Sequence, residues 1–169
     1  MTYKTLIVGI ALAGAAATAQ AQSGDQAFVT KMAGVAMGEV ELGTLAKDKA
    51  SSRDVKGFAQ RMVDDHSKAG DELKGIAQRK NLTWPPALPA DTVALKDRLS
   101  KLSGAAFERA YIDAMVNGHR EVLTVVKAHV QSAADPDVKA WATKASSSVQ
   151  AHLTHALDVQ RDIGKTATH

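Results

Sequence analysis

Four stretches of the chain place apolar or small residues at steps of three and four, the spacing that lines side chains along one stripe of an α-helix. The stripes are Phe28, Met32, Val35, Glu39, Leu42 and Ala46; Val55, Ala59, Met62, His66, Ala69, Leu73 and Ile76; Ile112, Met115, His119, Val122 and Val126; and Val138, Ala142, Ala145, Val149, His152, Ala156, Val159 and Ile163. Each carries one polar residue near its middle. A buried imidazole or carboxyl is costly unless something pairs with it, so Glu39, His66, His119 and His152 are the residues to follow.

Breakers and caps give the limits of the helices. The first helix is expected from about Asp25, as its N-cap, to Lys47. The second is expected from about Ser52 to Lys80, capped by Ser51 with Asp54 three residues on. Trp84-Pro85-Pro86 and Pro89 stop it. Asp91 then reads as the N-cap of a short helix through Leu95, Leu99 and Leu102 that ends at Gly104. The third long helix spans about Ala105 to Ala133. Asp135-Pro136-Asp137, an N-cap followed by proline at the first helical position, opens the fourth, which runs to about Ile163 before a fraying tail. Ser146-Ser147-Ser148 sits inside that helix although serine is a weak helix former. Gly34, Gly38 and Gly43 each cost the first helix about 1 kcal/mol relative to alanine, which makes sense where a neighbour approaches closely. The pattern predicts an all-α, up-down four-helix bundle with a long crossover, carrying a short extra helix, between the second and third long helices.

Composition changes the picture at the N-terminus. Lys4, the apolar run Leu6 to Ala17 and the small-x-small triplet Ala19-Gln20-Ala21 have the form of a secretory signal peptide over residues 1–21, leaving residues 22–169 as a single bundle domain. The apolar run is short of the ~20 residues a membrane span needs, so no stable membrane insertion is expected after cleavage, and the mature chain is expected in the periplasm. With no cysteine there is neither a disulfide nor a lipid-anchored cysteine. The net charge of +3, with 4% aromatic residues and no basic run, argues against nucleic acid as a partner.

The heights of the four polar residues decide the chemistry. In an antiparallel pair two residues are level when their midpoint falls in the connecting turn. The midpoint of 119 and 152 falls in the Ala134 to Pro136 turn, and that of 39 and 66 falls roughly two residues beyond the Lys49 to Ser51 turn. All four are therefore expected in one layer. Imidazoles and a carboxylate on facing helices are how bundles build a metal site, and the shell of Glu39, His66, His119 and His152 would suit zinc, copper, iron or manganese. The alternative is a metal-free polar cluster in a structural or interaction module of the cell envelope. Asp65, His155, Glu41 and Glu121 lie near the layer in height and could orient the histidines. Met62 and Met115 precede His66 and His119 by one turn, where ordinary core packing accounts for them.

No nucleophile elbow, Walker loop, dinucleotide fingerprint or cysteine nucleophile occurs. Valine stands three residues before each of His66, His119 and His152, where a di-iron centre would use Glu-x-x-His. Four protein ligands also close a tetrahedral shell, so metal binding is expected rather than catalysis.

At Gly38-Glu39-Val40-Glu41-Leu42-Gly43, at Val55 to His66 with its Arg61-Met62-Val63-Asp64-Asp65-His66 run, and at Phe107, Tyr111-Ile112, His119 and His152-Leu153, the sequence resembles a bacterial exported family, the domain-of-unknown-function family 4142. The resemblance covers roughly Asp25 to Asp158 and implies a ferritin-like bundle with a long crossover. It implies no activity. A Leu-Pro step that the family pattern places shortly before His152 is replaced by Ser146-Ser147, so the fourth helix is expected to differ in shape there.

Overall fold

The computed structural model describes residues 11–166, all helical outside the turns and the crossover. Helix α1 (Ala11–Lys49) and α2 (Arg53–Arg79) form one hairpin, and α4 (Gly104–Ser132) and α5 (Pro136–Thr166) form the other. A crossover containing α3 (Ala90–Ser100) joins them. It returns along the length of the bundle, so α2 and α4 run parallel while α1 and α4, and α2 and α5, run antiparallel. This is the ferritin-like arrangement with one long connection. Among the described residues no helix is long and apolar enough to cross a membrane.

The stripes turn inward as their periodicity requires, and the core they form is divided in two. One half is built from Leu42, Phe58, Met62, Phe107, Tyr111 and their neighbours, the other from Phe28, Met32, Leu73, Val126 and Trp141. Glu39, His66, His119 and His152, all buried, fall between the halves.

Several boundaries differ from the sequence expectation. Helix α1 does not begin at Asp25; its backbone is helical from Ala11, as the strong helix propensity of the alanine-rich segment before Asp25 allows. Residues 1–10 of the expected leader lie outside the described residues. Ser52 rather than Ser51 caps α2, its side chain accepting from Val55 N at 3.5 Å. Pro89 rather than Asp91 precedes α3, and Asp91 accepts from the adjacent Thr92 amide instead of capping from outside. Asp135 caps α5 as expected, accepting from Asp137 N at 2.8 Å and Val138 N at 3.2 Å. The serine run leaves α5 unbroken.

Gly34, Gly38 and Gly43 of α1 admit close neighbours, though at the first two the neighbour is the crossover. A Cβ on Gly34 would lie 2.7 Å from Pro89 Cγ, and one on Gly38 would lie 2.9 Å from Thr92 Cγ2. Only Gly43 faces α2, at Ala59 O and Val63.

The two hairpins also clasp each other's turns. Glu108 of α4 accepts from Ser51 N and Ser52 N, both at 2.7 Å, in the α1–α2 turn. Asp25 of α1 accepts from Ala134 N at 3.4 Å and Asp135 N at 2.8 Å in the α4–α5 turn. Both carboxylates are buried, and each satisfies amides that a turn would otherwise leave to water.

Candidate metal centre

His66 of α2, His119 of α4 and His152 of α5 point into the layer between the two core halves, with ring centroids 5.3 to 5.8 Å apart. One nitrogen from each ring can be chosen so that all three lie within 4.8 Å of one another. A tetrahedral ion with bonds of about 2.0–2.1 Å needs nitrogens roughly 3.4 Å apart, so a pair at the 4.8 Å limit must close by roughly 1.4 Å to bind one.

Hydrogen bonding sets which nitrogen His119 and His152 offer. His119 Nδ1 is 2.8 Å from the carbonyl oxygen of Met115. A carbonyl only accepts, so Nδ1 carries the proton and the lone pair is on Nε2. His152 Nε2 is 2.8 Å from Asp65 Oδ2, which assigns the proton to Nε2 and the lone pair to Nδ1. His119 Nε2, His152 Nδ1 and His66 Nε2 are all buried and have no hydrogen-bond partner. Buried polar atoms are normally paired, so three orphans in one layer need an explanation.

Charge is also held in the state a cation needs. Burial pushes His66 down to about 3, helped by the two neighbouring imidazoles. Burial likewise lowers His119 to about 4 against the pull of the Met115 carbonyl, and lowers His152 against the pull of Asp65. The three rings are therefore neutral at physiological pH. Desolvation raises the Asp65 carboxyl, but hydrogen bonds from His152 and Arg61 outweigh it and hold Asp65 below its usual value. An ionised Asp65 behind a ligating imidazole fixes the tautomer and makes the ring a better donor.

Glu39 stands apart from the three rings. Its Oε1 is 4.0 Å from His119 Nδ1, the nitrogen already committed to Met115, and its carboxyl is outside the group of atoms that lie within 4.8 Å of one another. Burial pushes it up to about 8, so it is a neutral acid at pH 7. Its Oε2 has no partner. The sequence expected four ligands; the geometry groups three nitrogens, with a neutral carboxyl behind one of them.

Of the residues expected to support the layer, Asp65 does so directly. Glu41 instead pairs with Lys96 of α3, and Glu121 is exposed. His155 turns towards Phe58, with ring centroids 5.2 Å apart. Met62 packs in the core, and Met115 contributes its backbone carbonyl. A further buried pair was not anticipated: His129 Nε2 lies 3.0 Å from Asp25 Oδ1, off the line of a good hydrogen bond, with its ring stacked on Phe28 at 3.8 Å.

Solved structures with this fold include a DUF305 protein from Streptomyces coelicolor, 18% identical with a TM-score of 0.73 over 83% of this chain and 92% of that one. CopM in the Cu(I)-bound form is 16% identical, with a TM-score of 0.69 over 82% and 96% of the two chains. A DUF305 fragment from Deinococcus radiodurans is 13% identical, with a TM-score of 0.72 over 84% and 96%. No protein of curated function matches the sequence significantly. The sequence does match the family described as domain of unknown function (DUF4142) over residues 11–159, and the chain belongs to that family.

Proposed function

We propose that this bundle binds one transition-metal ion through His66, His119 and His152, as an exported protein of envelope metal handling or stress tolerance. The observation that carries this reading is the set of three buried imidazole nitrogens left without a partner while the opposite nitrogens of His119 and His152 are tied down. Glu39 backs the site as a neutral acid that can ionise when a cation arrives, and Asp65 orients His152. An all-imidazole donor set suits zinc, copper or iron; manganese prefers oxygen. That a protein of the same fold has been solved with Cu(I) bound favours copper among these. The leader-like residues 1–21 support export, with Gln22 as the first residue of the mature chain.

Metal analysis of protein purified without an affinity tag tests the site. One equivalent of zinc or copper is expected, falling to none in His119→Leu. Metal that stays far below one equivalent after incubation with each ion in turn would favour the rival reading, a metal-free structural module with a polar core layer. N-terminal sequencing of the protein recovered from the periplasm should begin at Gln22.

A further inference from the structure

An ion cannot reach the layer while the three rings stand as they do. His66 Nε2, His119 Nε2 and His152 Nδ1 are all buried, so no path from solvent ends on a nitrogen that would hold it. One ring must turn aside to admit an ion and then return to bind it.

The rings are not equally free to do so. Turning His119 breaks its bond to the Met115 carbonyl, and turning His152 breaks its bond to the Asp65 carboxylate. His66 is held at neither nitrogen: Nε2 has no partner, and among the described residues no hydrogen bond is made to Nδ1. It is also the outermost of the three, 8% exposed against 2% for each of the others.

His66 has room to turn as well. Two cavities border it. One, of ≈ 210 Å³, opens between α2 and α5, and His152 and Asp65 line it too. The other, of ≈ 580 Å³, lies between α1, α2 and the crossover, lined by Val40 of α1, Ala87 of the crossover and the small residues Ala36 and Gly70; of the three rings only His66 reaches it. A turn into this second groove leaves the His152–Asp65 bond undisturbed. We propose that His66 is the gate of the site, its ring turning into the α1-side groove to admit an ion and closing to complete the shell while His119 and His152 stay fixed. This rests on the reading of the three histidines as ligands and adds the route and the moving part.

Two measurements test it. In metal-free protein carrying 13C-labelled histidine, relaxation dispersion at the ring carbons is expected to show exchange at His66 and none at His119 or His152. Zinc uptake and release are then followed by stopped flow against a chromophoric chelator. Val40→Phe fills the groove from α1 and removes no hydrogen bond of the layer. It should slow uptake and release alike, by about tenfold, and leave Kd within about twofold, because a gate alters the path and not the end states. Ala87→Phe fills the groove from the crossover should the first variant fail to fold. Ala145→Leu, which fills the α5-side cleft, should change neither rate. Exchange at another ring or at none, rates unchanged in both groove fillers, or slowing in Ala145→Leu instead would each overturn the proposal. With wild type holding one equivalent of zinc, those results defeat only the gate; a chain that takes up no zinc defeats the metal site and the gate with it.

Discussion

Helix α4 carries two buried histidines about three turns apart, and their surroundings are opposites. At His129 the protein supplies a counterpart: Asp25 is at 3.0 Å, Phe28 stacks on the ring, and the same carboxylate closes the α4–α5 turn. At His119 the protein ties down only Nδ1, and the nitrogen that is left shares a layer with two others in the same condition. Burial of an imidazole is therefore a poor sign of a ligand site. The informative sign is acceptors left over after the protein's own donors have been used.

The sharpest way to break this contrast is to remove each group in turn. Replacing His66, His119 and His152 together by leucine should take metal from one equivalent to none. Without metal, that variant should melt at or above the metal-free wild type, because a buried polar layer exchanged for apolar side chains of similar size is often neutral or stabilising. Asp25→Ala should do the reverse. It strands two turn amides and a buried imidazole, which should cost about 3 kcal/mol in urea denaturation with metal uptake unchanged. If Asp25→Ala lost its metal, the two groups would not be separable.

Titration should distinguish the groups next. His66 and His119 hold values of about 3 and 4 in the fold against about 6.5 unfolded, so as pH falls below 6.5 the unfolded chain takes up protons first. Stability should then drop by about 1 kcal/mol per pH unit for each ring. Glu39 works the other way: its folded value of about 8 lies above 4.5, so the native state keeps a proton that the unfolded chain has lost, and this contribution fades as pH rises towards 8. Melting temperature against pH in chelator should peak near neutrality, and Glu39→Gln should flatten the alkaline side up to about pH 8 and steepen the acid side between about 4.5 and 6.5. The smallest effect belongs to an exposed ion pair between α5 and α2. The Lys144–Glu72 pair is largely solvated, so Lys144→Ala should change stability by less than about 0.5 kcal/mol and leave metal content alone.

Much of this was legible in the sequence because the signal was an interruption. His66, His119 and His152 break apolar stripes whose neighbours could only be core, and the level of each pair follows from the turn between its helices. The same rule reaches further. Asp25 is three residues before Phe28, His129 three after Val126 and Glu108 four before Ile112, so all three lie on the stripes and all three are buried. Asp25 reads as a cap instead, since aspartate ahead of an apolar run has that meaning at a true helix start. Other features could not be read in this way. That Glu39 stands back from the rings depends on side-chain reach across a few ångströms, and helix spacing does not resolve that. Nor does one stripe reveal that Gly34 and Gly38 receive the crossover, because the crossover's path is set by what it packs on.

The reciprocal clasp of Glu108 and Asp25 has a consequence for how the chain folds. Each hairpin holds the carboxylate that completes the other's turn, so neither turn is finished until the two hairpins have docked. The amides of Ser51, Ser52 and Asp135 lie in turns at the ends of the bundle, where exchange with solvent would ordinarily be fast. Held by a side chain from the opposite hairpin, they should exchange only when the hairpins separate, so these turn amides report on the cooperativity of the whole bundle.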